Sequence, residues 1–408
     1  MSRYSGWTCD GRIPLHVILV GSGIGGLAAA LALSDRGVEV TLLEQATAIQ
    51  AVGAGVQLSA NATRLLCRLG LEAQLRAVAC APEAVEVRDH STGALNLRTR
   101  LGAYGEARWG APYLQVHRAD LQCLLLDAVA SKRSIKLRLG AKVEAVDDDG
   151  ARAFTCLDGG EAIAGDAVVG CDGIHSKVRT VLWGEQAARF VGQAAWRGLA
   201  PADRLPAGAV AEIAGVWTGA DRHFVHYPVS GGALINVVGV VEQRRWASES
   251  WTAEADRSLF VADFQGWPSP IPELIAAVET PWLFAIHDRS ALSRWSKGRL
   301  SLLGDAAHPA PPFLAQGAAM AIEDGEALAR HIAASPDVAA ALRTYEGERK
   351  SRTARVQAWS RRNARLFHLP SLAARGLFGA AAQLDRLRGA TPEARLDWLY
   401  GYRPPSSS

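Results

Sequence analysis

Leu15-His16-Val17-Ile18-Leu19-Val20-Gly21-Ser22-Gly23-Ile24-Gly25-Gly26 decides the fold of this chain. Six residues of an apolar strand run straight into three spaced glycines. Leu27 to Arg36 then reads as a helix closed by Gly37, and Val38 to Leu43 as a second strand ending at Glu44. This is a βαβ unit. Gly21 permits the tight turn, Gly23 lets backbone approach a pyrophosphate, and Gly26 lets helix and strand pack closely. Glu44, 23 residues after Gly21, stands where an acid can hold ribose hydroxyls. A lone glycine pattern is weak evidence; with strand, helix and acid in register it points to a dinucleotide.

Moving outward, the loop Val52 to Asn61 is loosened by glycines and leads into a helix over Ala62 to Leu69. A plain NAD dehydrogenase would continue with βαβ repeats. Here Glu83 to Arg98 instead alternates as a strand pair turned at Ser91-Thr92-Gly93. Arg118 opens a helix running to about Ala130, where it can meet a cofactor phosphate or stand as an ordinary first-turn arginine. Ile135 to Val169 alternates as a β-meander, ending in Asp172-Gly173 at a strand-to-helix junction. From Val181 to His287 tryptophans accumulate at 183, 196, 217, 246, 251, 267 and 282, in what reads as a mostly antiparallel sheet.

A second nucleotide-like edge is Gly304-Asp305-Ala306-Ala307-His308-Pro309, running on to Gln316-Gly317-Ala318. Arg299 to Leu303 reads as a buried strand and a helix begins near Gln316. The edge offers a carboxylate, a proline-stiffened floor and free helix-start N–H groups at Gly317 and Ala318. His308 is expected to cap the loop, while Gln316 can either bond a substrate or simply begin the helix. Beyond it, Asp337 to Gly401 is helical and Arg-rich and reads as a solvated cover.

Bulk properties narrow the classes. At 408 residues the chain can hold two or three packed units, and 49% hydrophobic with 21% charged residues describes an ordinary globular protein. A net charge of +3 with no basic block does not call for nucleic acid. The six cysteines lack CxxC spacing, so no metal site is expected and a cytoplasmic protein with reduced thiols is. Leu15 to Leu33 carries four glycines and belongs to the fold, so no membrane span is expected. Met1 to Arg12 and Pro404 to Ser408 read as loose ends.

Three motifs now stand in order: Gly21-x-Gly23-x-x-Gly26 with Glu44, Asp172-Gly173, and Gly304-Asp305. Together they resemble the single-component flavoprotein aromatic hydroxylases, the para-hydroxybenzoate hydroxylase family, over roughly residues 15 to 360. Gly53 to Asn61, His117 to Leu121, Trp196-Arg197-Gly198 and Ala315 to Met320 are most similar to salicylate hydroxylases, 3-hydroxybenzoate 6-hydroxylases and 6-hydroxynicotinate 3-monooxygenases.

The resemblance implies an α/β fold: a Rossmann-like FAD-binding domain with a β-meander (15–79, 104–180 and 286–335), a mostly antiparallel substrate-side sheet (80–103 and 181–285) and a C-terminal helical segment (336–401). It implies non-covalent FAD, NADH or NADPH as co-substrate, O2, and hydroxylation of a small phenolic acid through a flavin C4a-hydroperoxide. A hydroxypyridine carboxylate or a catalytically silent FAD protein is the alternative. Gly21, Gly23 and Gly26 would take the pyrophosphate, Glu44 the adenosine ribose, Arg118 another polar part of FAD, Asp172 and Gly173 both FAD and the nicotinamide cofactor. Gly304 and Asp305 would meet the ribityl side, and Gly317 and Ala318 the flavin's N1–C2 edge. His223 and Tyr227 match a His and Tyr four apart at the substrate phenol, with His223 as the base and His226 as a second candidate. Alternation along the strand puts Tyr227 on His223's face and His226 on the other. Gln316 joins them as a catalytic candidate, and Gln57, Trp196, Trp217 and Pro312 are the pocket candidates. Gln57 stands where the pyridine-ring hydroxylases carry a His, and Trp196 replaces a more usual Tyr. A monomer or homodimer is expected.

Overall fold

The computed structural model describes residues 14–49, 54–243 and 255–405. Met1–Arg12, Val52, Gly53, Trp246, Trp251 and the end of the 404–408 tail lie outside the described residues.

Five parallel strands form the first sheet, in the order Leu300–Leu302, Ala167–Gly170, His16–Val20, Glu39–Leu43, Ile135–Arg138. Helices pack on one face and the three-stranded antiparallel sheet on the other, so both faces are covered and its central strands are apolar runs rather than alternating ones. The helix Ile24–Ser34 is buried along most of its length and packs on the helix Gly317–Ala334. The expected meander is corrected here. Only Val143–Asp148, Ala153–Leu157 and Ala162–Gly165 pair antiparallel. Ile135–Arg138 and Ala167–Gly170 join the parallel sheet; the latter is buried at every position, which a one-sided meander strand would not be.

The larger sheet has seven strands in the order Trp282–Asp288, Arg189–Pro201, Leu234–Glu242, Arg222–Val229, Ile213–Gly219, Ala84–Asp89, Leu95–Arg100. All neighbours are antiparallel except Ile213–Gly219 with Ala84–Asp89. Its two faces differ. One packs the helices Arg257–Asp263 and Ile271–Ala277 through Trp196, Trp217, Phe224, Phe260, Phe264 and Trp267. The other carries Ala195, Arg197, His223, Tyr227, Asn236 and Val240 toward Phe313 and the short strand Gly55–Leu58.

The helix Val338–Phe367 is more than a solvated cover. Arg349 is fully buried on it, bonding Glu323 and Asp324 at 2.7 Å each. Gln357, Ser360 and Asn363 donate to the carbonyls of Pro309, Pro311 and Phe313, so this helix fastens the proline-rich loop. No helix among the described residues is long and apolar enough to cross a membrane.

Candidate active site

The glycine loop is set by sterics. Gly21 holds φ +104°, a region closed to most side chains. A Cβ on Gly26 would lie 2.0 Å from the Gly21 carbonyl oxygen, so only glycine lets helix and turn touch. The helix starts at Gly23 without a side-chain cap, so its first-turn N–H groups have no side-chain acceptor, and a Cβ on Gly23 would meet only open space. Glu44 is pinned beside them: Oε2 accepts from Ser22 N (2.9 Å) and Oγ (2.8 Å), and Oε1 from Ala46 N (3.0 Å). Its remaining lone pairs stay available to a ribose.

Asp172 abuts this turn, since a Cβ on Gly21 would meet the Asp172 Cα at 2.9 Å. Its Oδ2 accepts from Lys177 N (2.7 Å) and Val178 N (3.1 Å), while its buried Oδ1 has no partner. Burial pushes this carboxyl up, against the hydrogen bonds it accepts. Gly173 follows at φ +77° with open space around it.

The third motif is anchored from behind. Gly304 N donates to Asp324 Oδ2 (3.0 Å), which also takes His308 Nε2 (2.5 Å); His308 is thus turned into the core against Trp295. Asp305 faces the other way. It is exposed, yet crowding by protein pushes its carboxyl above the ordinary value, with His308 and Arg118 pulling it back. A side chain both solvent-reachable and crowded lies in a concave slot. Arg118 acts on Asp305 and also on Arg197. Motifs from four distant parts of the chain therefore converge on one cleft.

At the cleft's inner end the helix Gly317–Ala334 begins with no side-chain cap. Gly317 is exposed, and Ala315 before it holds φ +51°, a strained conformation for alanine. Gln316 is corrected as a catalytic candidate. It is buried, its Nε2 donates to Ser59 Oγ (2.9 Å), and its Oε1 accepts from Asn61 Nδ2 (3.1 Å). Both ends of the amide are thus committed to holding the loop.

The sheet face above the cleft carries four polar groups in an apolar setting. His223 is buried against Phe313 and Phe367, and Tyr227 lies toward Gly55. Four residues along a strand is roughly 13 Å, so the pair brackets a ring-sized space rather than touching one atom. Asn236, paired with Tyr227, accepts the Gly55 N–H at 2.6 Å. Arg197 is the group the sequence reading missed. Its Nε is buried without a partner, its side chain makes no hydrogen bond or ion pair among the described residues, and it lies over the Phe284 ring at 5.1 Å with Tyr227 and Arg118 acting on it. Burial pulls its guanidinium below the ordinary value. Burial and His368 likewise hold His223 well below the usual histidine range, so it is neutral near pH 7; burial pushes the Tyr227 phenol up.

The pocket candidates divide. Gln57 accepts from Tyr113 OH (2.9 Å), on the strand Gly55–Leu58 that faces the sheet, and Pro312 is exposed beside Phe313. Trp196 and Trp217 are corrected. Trp196 stacks on Phe260 at 4.8 Å and donates to Asp263, and Trp217 donates to His226 Nε2 (3.2 Å). Both lie on the face that packs the helices, away from His223. His226 shares that face, with burial and then Arg88 lowering it to about 4.

Comparison with known proteins agrees with this geometry. The family described as "FAD binding domain" matches residues 14–360. The chain is 39% identical to a 3-amino-4-hydroxybenzoate 2-monooxygenase of Streptomyces platensis, over 95% of this chain and 96% of that protein. It is 34% identical to the 3-hydroxybenzoate 6-hydroxylase of Polaromonas naphthalenivorans, over 96% and 97%. A solved salicylate hydroxylase substrate complex superposes with a TM-score of 0.79 at 26% identity, covering 96% of each chain.

Proposed function

Because the chain belongs to the FAD-binding-domain family, and is an FAD-dependent aromatic monooxygenase using NAD(P)H and O2, we propose that its substrate is a small phenolic acid of the salicylate or hydroxybenzoate type. The carrying observation is Arg197. A half-buried guanidinium whose Nε is buried without a partner, and which has no anion of its own, is costly. A ligand carboxylate or phenolate beside it would supply the missing charge and a strong, oriented hydrogen bond.

The residues present fit FAD: the open space over Gly23, the unpartnered Asp172 Oδ1 and the slot holding Asp305 all suit a polar ligand. In this reading the first-turn N–H groups after Gly23 would hold the pyrophosphate, Glu44 the adenosine ribose, and Gly304 and Asp305, with Arg118 beside Asp305, the ribityl side. The free N–H groups of Gly317 and Ala318 face the pyrimidine edge of the flavin, where a helix start favours negative charge. When bound, FAD carries electrons from NAD(P)H to O2 and delivers one oxygen atom to the ring.

The chain's own contribution is to make the ring reactive. A phenol is electron-rich enough only once deprotonated. His223, neutral and buried, accepts the phenol proton on a ring nitrogen. Arg197 and Tyr227 hold the anionic end, and Phe313 and Phe367 keep water out.

The test is a panel. NADH or NADPH oxidation by the FAD-loaded enzyme is followed with salicylate, 3-hydroxybenzoate, 3-amino-4-hydroxybenzoate and 6-hydroxynicotinate, with product analysed under 18O2. Acceleration by a phenolic acid with one labelled oxygen incorporated supports the reading. A chain that takes up no FAD, or whose NAD(P)H oxidation no phenolic acid accelerates, ends it.

A further inference from the structure

His223 does not stand alone. Its Nδ1 lies 2.8 Å from Nε2 of His368, whose Nδ1 lies 2.6 Å from Oε1 of Glu242. His368 is 6% exposed and the Glu242 side chain 41% exposed, so the three groups run from the buried sheet face to solvent. Three distant parts of the chain build this line: the strand Arg222–Val229, the residue ending the helix Val338–Phe367, and the last residue of the strand Leu234–Glu242. Gln193 Nε2 donates to the same Glu242 oxygen at 2.7 Å and holds it in place.

Hydrogen-bond direction follows from the acceptor at the end. A carboxylate oxygen only accepts, so His368 Nδ1 donates to it. In a neutral ring the His368 Nε2 is then bare and accepts, so His223 Nδ1 donates. That leaves the lone pair of His223 on Nε2, which makes no hydrogen bond among the described residues. Phe313 and Phe367 flank the ring at 5.5 and 5.2 Å, so water does not compete from the sides.

We propose that His368 and Glu242 are positioning and relay residues for the hydroxylation, fixing His223 as the Nε2 base and carrying the substrate proton to the surface. This rests on the reading of His223 as base. The balance is simple. The phenol O–H breaks as N–H forms at His223 Nε2. The His223 Nδ1 proton passes to His368 Nε2, and the His368 Nδ1 proton passes to Glu242 and then to water. The same steps in reverse protonate the product phenolate and restore both tautomers. The charged or titratable groups acting on the relay are few: His368 alone on His223, and Glu242 and Asp221 on His368.

The test reads tautomers directly, in FAD-loaded enzyme labelled with 15N-histidine and assigned through His223→Gln and His368→Phe. Two-bond 1H–15N spectra should show His223 and His368 both protonated on Nδ1 and bare on Nε2. A proton on His223 Nε2 in the substrate-free enzyme overturns the proposal. With 3-amino-4-hydroxybenzoate as probe, His368→Phe and Glu242→Gln should lower product formed per NAD(P)H consumed at pH 7 by about tenfold, part of the roughly 10²–10⁴-fold a general base contributes. The loss should fade as pH nears a phenol's own pKa of roughly 10, a profile that packing damage would not produce. If His223→Gln uncouples the enzyme but the other two variants keep the parent's pH profile, the relay falls and the base stands. If His223→Gln leaves coupling unchanged, the base reading falls and takes the relay with it.

Discussion

Replacing Arg349 by methionine tests how the Gly304–Asp305 loop is held. Arg349, Glu323 and Asp324 are all fully buried, with 2.7 Å bonds from the guanidinium to each acid. Methionine keeps most of the volume and removes the charge. Glu323 retains Arg352 and Asn61, and Asp324 retains His308 and Gly304 N. The loss is therefore that of one partner from a buried cluster, about 3–5 kcal/mol. Unfolding entropy for a chain of 408 residues is roughly 0.9 kcal/mol/K, so Tm should fall by about 3–6 °C. The pH dependence has a definite sign. Burial alone would raise the Asp324 carboxyl; His308 and Arg349 outweigh it and hold it at about 2. Above the ordinary carboxylate value that depressed pKa stabilises the parent, and the contribution is lost only as pH falls toward 2. Without Arg349 the folded-state carboxyls rise. The deficit should thus be largest at pH 7 and shrink as acid protonates them. Adding Glu323→Gln should recover part of the lost Tm. Calorimetry at pH 7 and pH 5 measures all three. A variant as stable as the parent at pH 7, or one whose deficit grows on acidification, would refute the reasoning.

Three further perturbations follow from the site. Asp305→Ala should weaken FAD binding ten- to hundred-fold, the worth of a charged hydrogen bond of about 1.5–3 kcal/mol. Because crowding already raises this carboxyl, the cofactor-free variant should melt no lower than the parent at pH 7; fluorescence titration and a melt check the two halves. Gly55→Ala places a Cβ 2.5 Å from Tyr227 Cε2 and 2.8 Å from Asn236, so the ring must move by about 1 Å, a displacement worth up to roughly 100-fold in kcat/KM. FAD content should not change, and unchanged kinetics would show that Tyr227 does not shape the substrate site. Arg197→Met should raise KM for an aromatic acid about ten- to hundred-fold while leaving Tm equal or higher, since the residue removed is a partly buried charge whose Nε has no partner. Equal KM values in parent and variant remove Arg197 from substrate binding.

Local steric rules made the glycine turn, Glu44 and the two strand-to-helix aspartates legible in the sequence, because each depends on residues within a few positions. Alternation likewise separated His223 from His226 correctly, since a strand's two faces follow from counting. Which face meets the cleft is a tertiary fact. Trp196 and Trp217 were assigned to the wrong side for that reason, and Arg197, one residue from Trp196, points the opposite way. Gln316 was ambiguous because its partners, Ser59 and Asn61, lie over 250 residues earlier. Nothing local marks His368 or Arg349. Both look like surface residues of a polar helix until the elements they pack against are in place.

The parallel sheet also constrains how this chain comes into being. Its central strand His16–Val20 pairs with Ala167–Gly170, some 150 residues away along the chain, and that strand pairs with Leu300–Leu302, farther along still. Such distant pairing makes loop closure expensive and folding slow. Glu323 and Asp324 then emerge ahead of Arg349, 25 residues before the cation that neutralises Asp324. Until that stretch is released, the helix Gly317–Ala334 cannot settle onto Ile24–Ser34 without burying unpaired charge. Until those distant segments meet, the apolar strand edges beside the cofactor cleft stay exposed, the condition in which chaperones act.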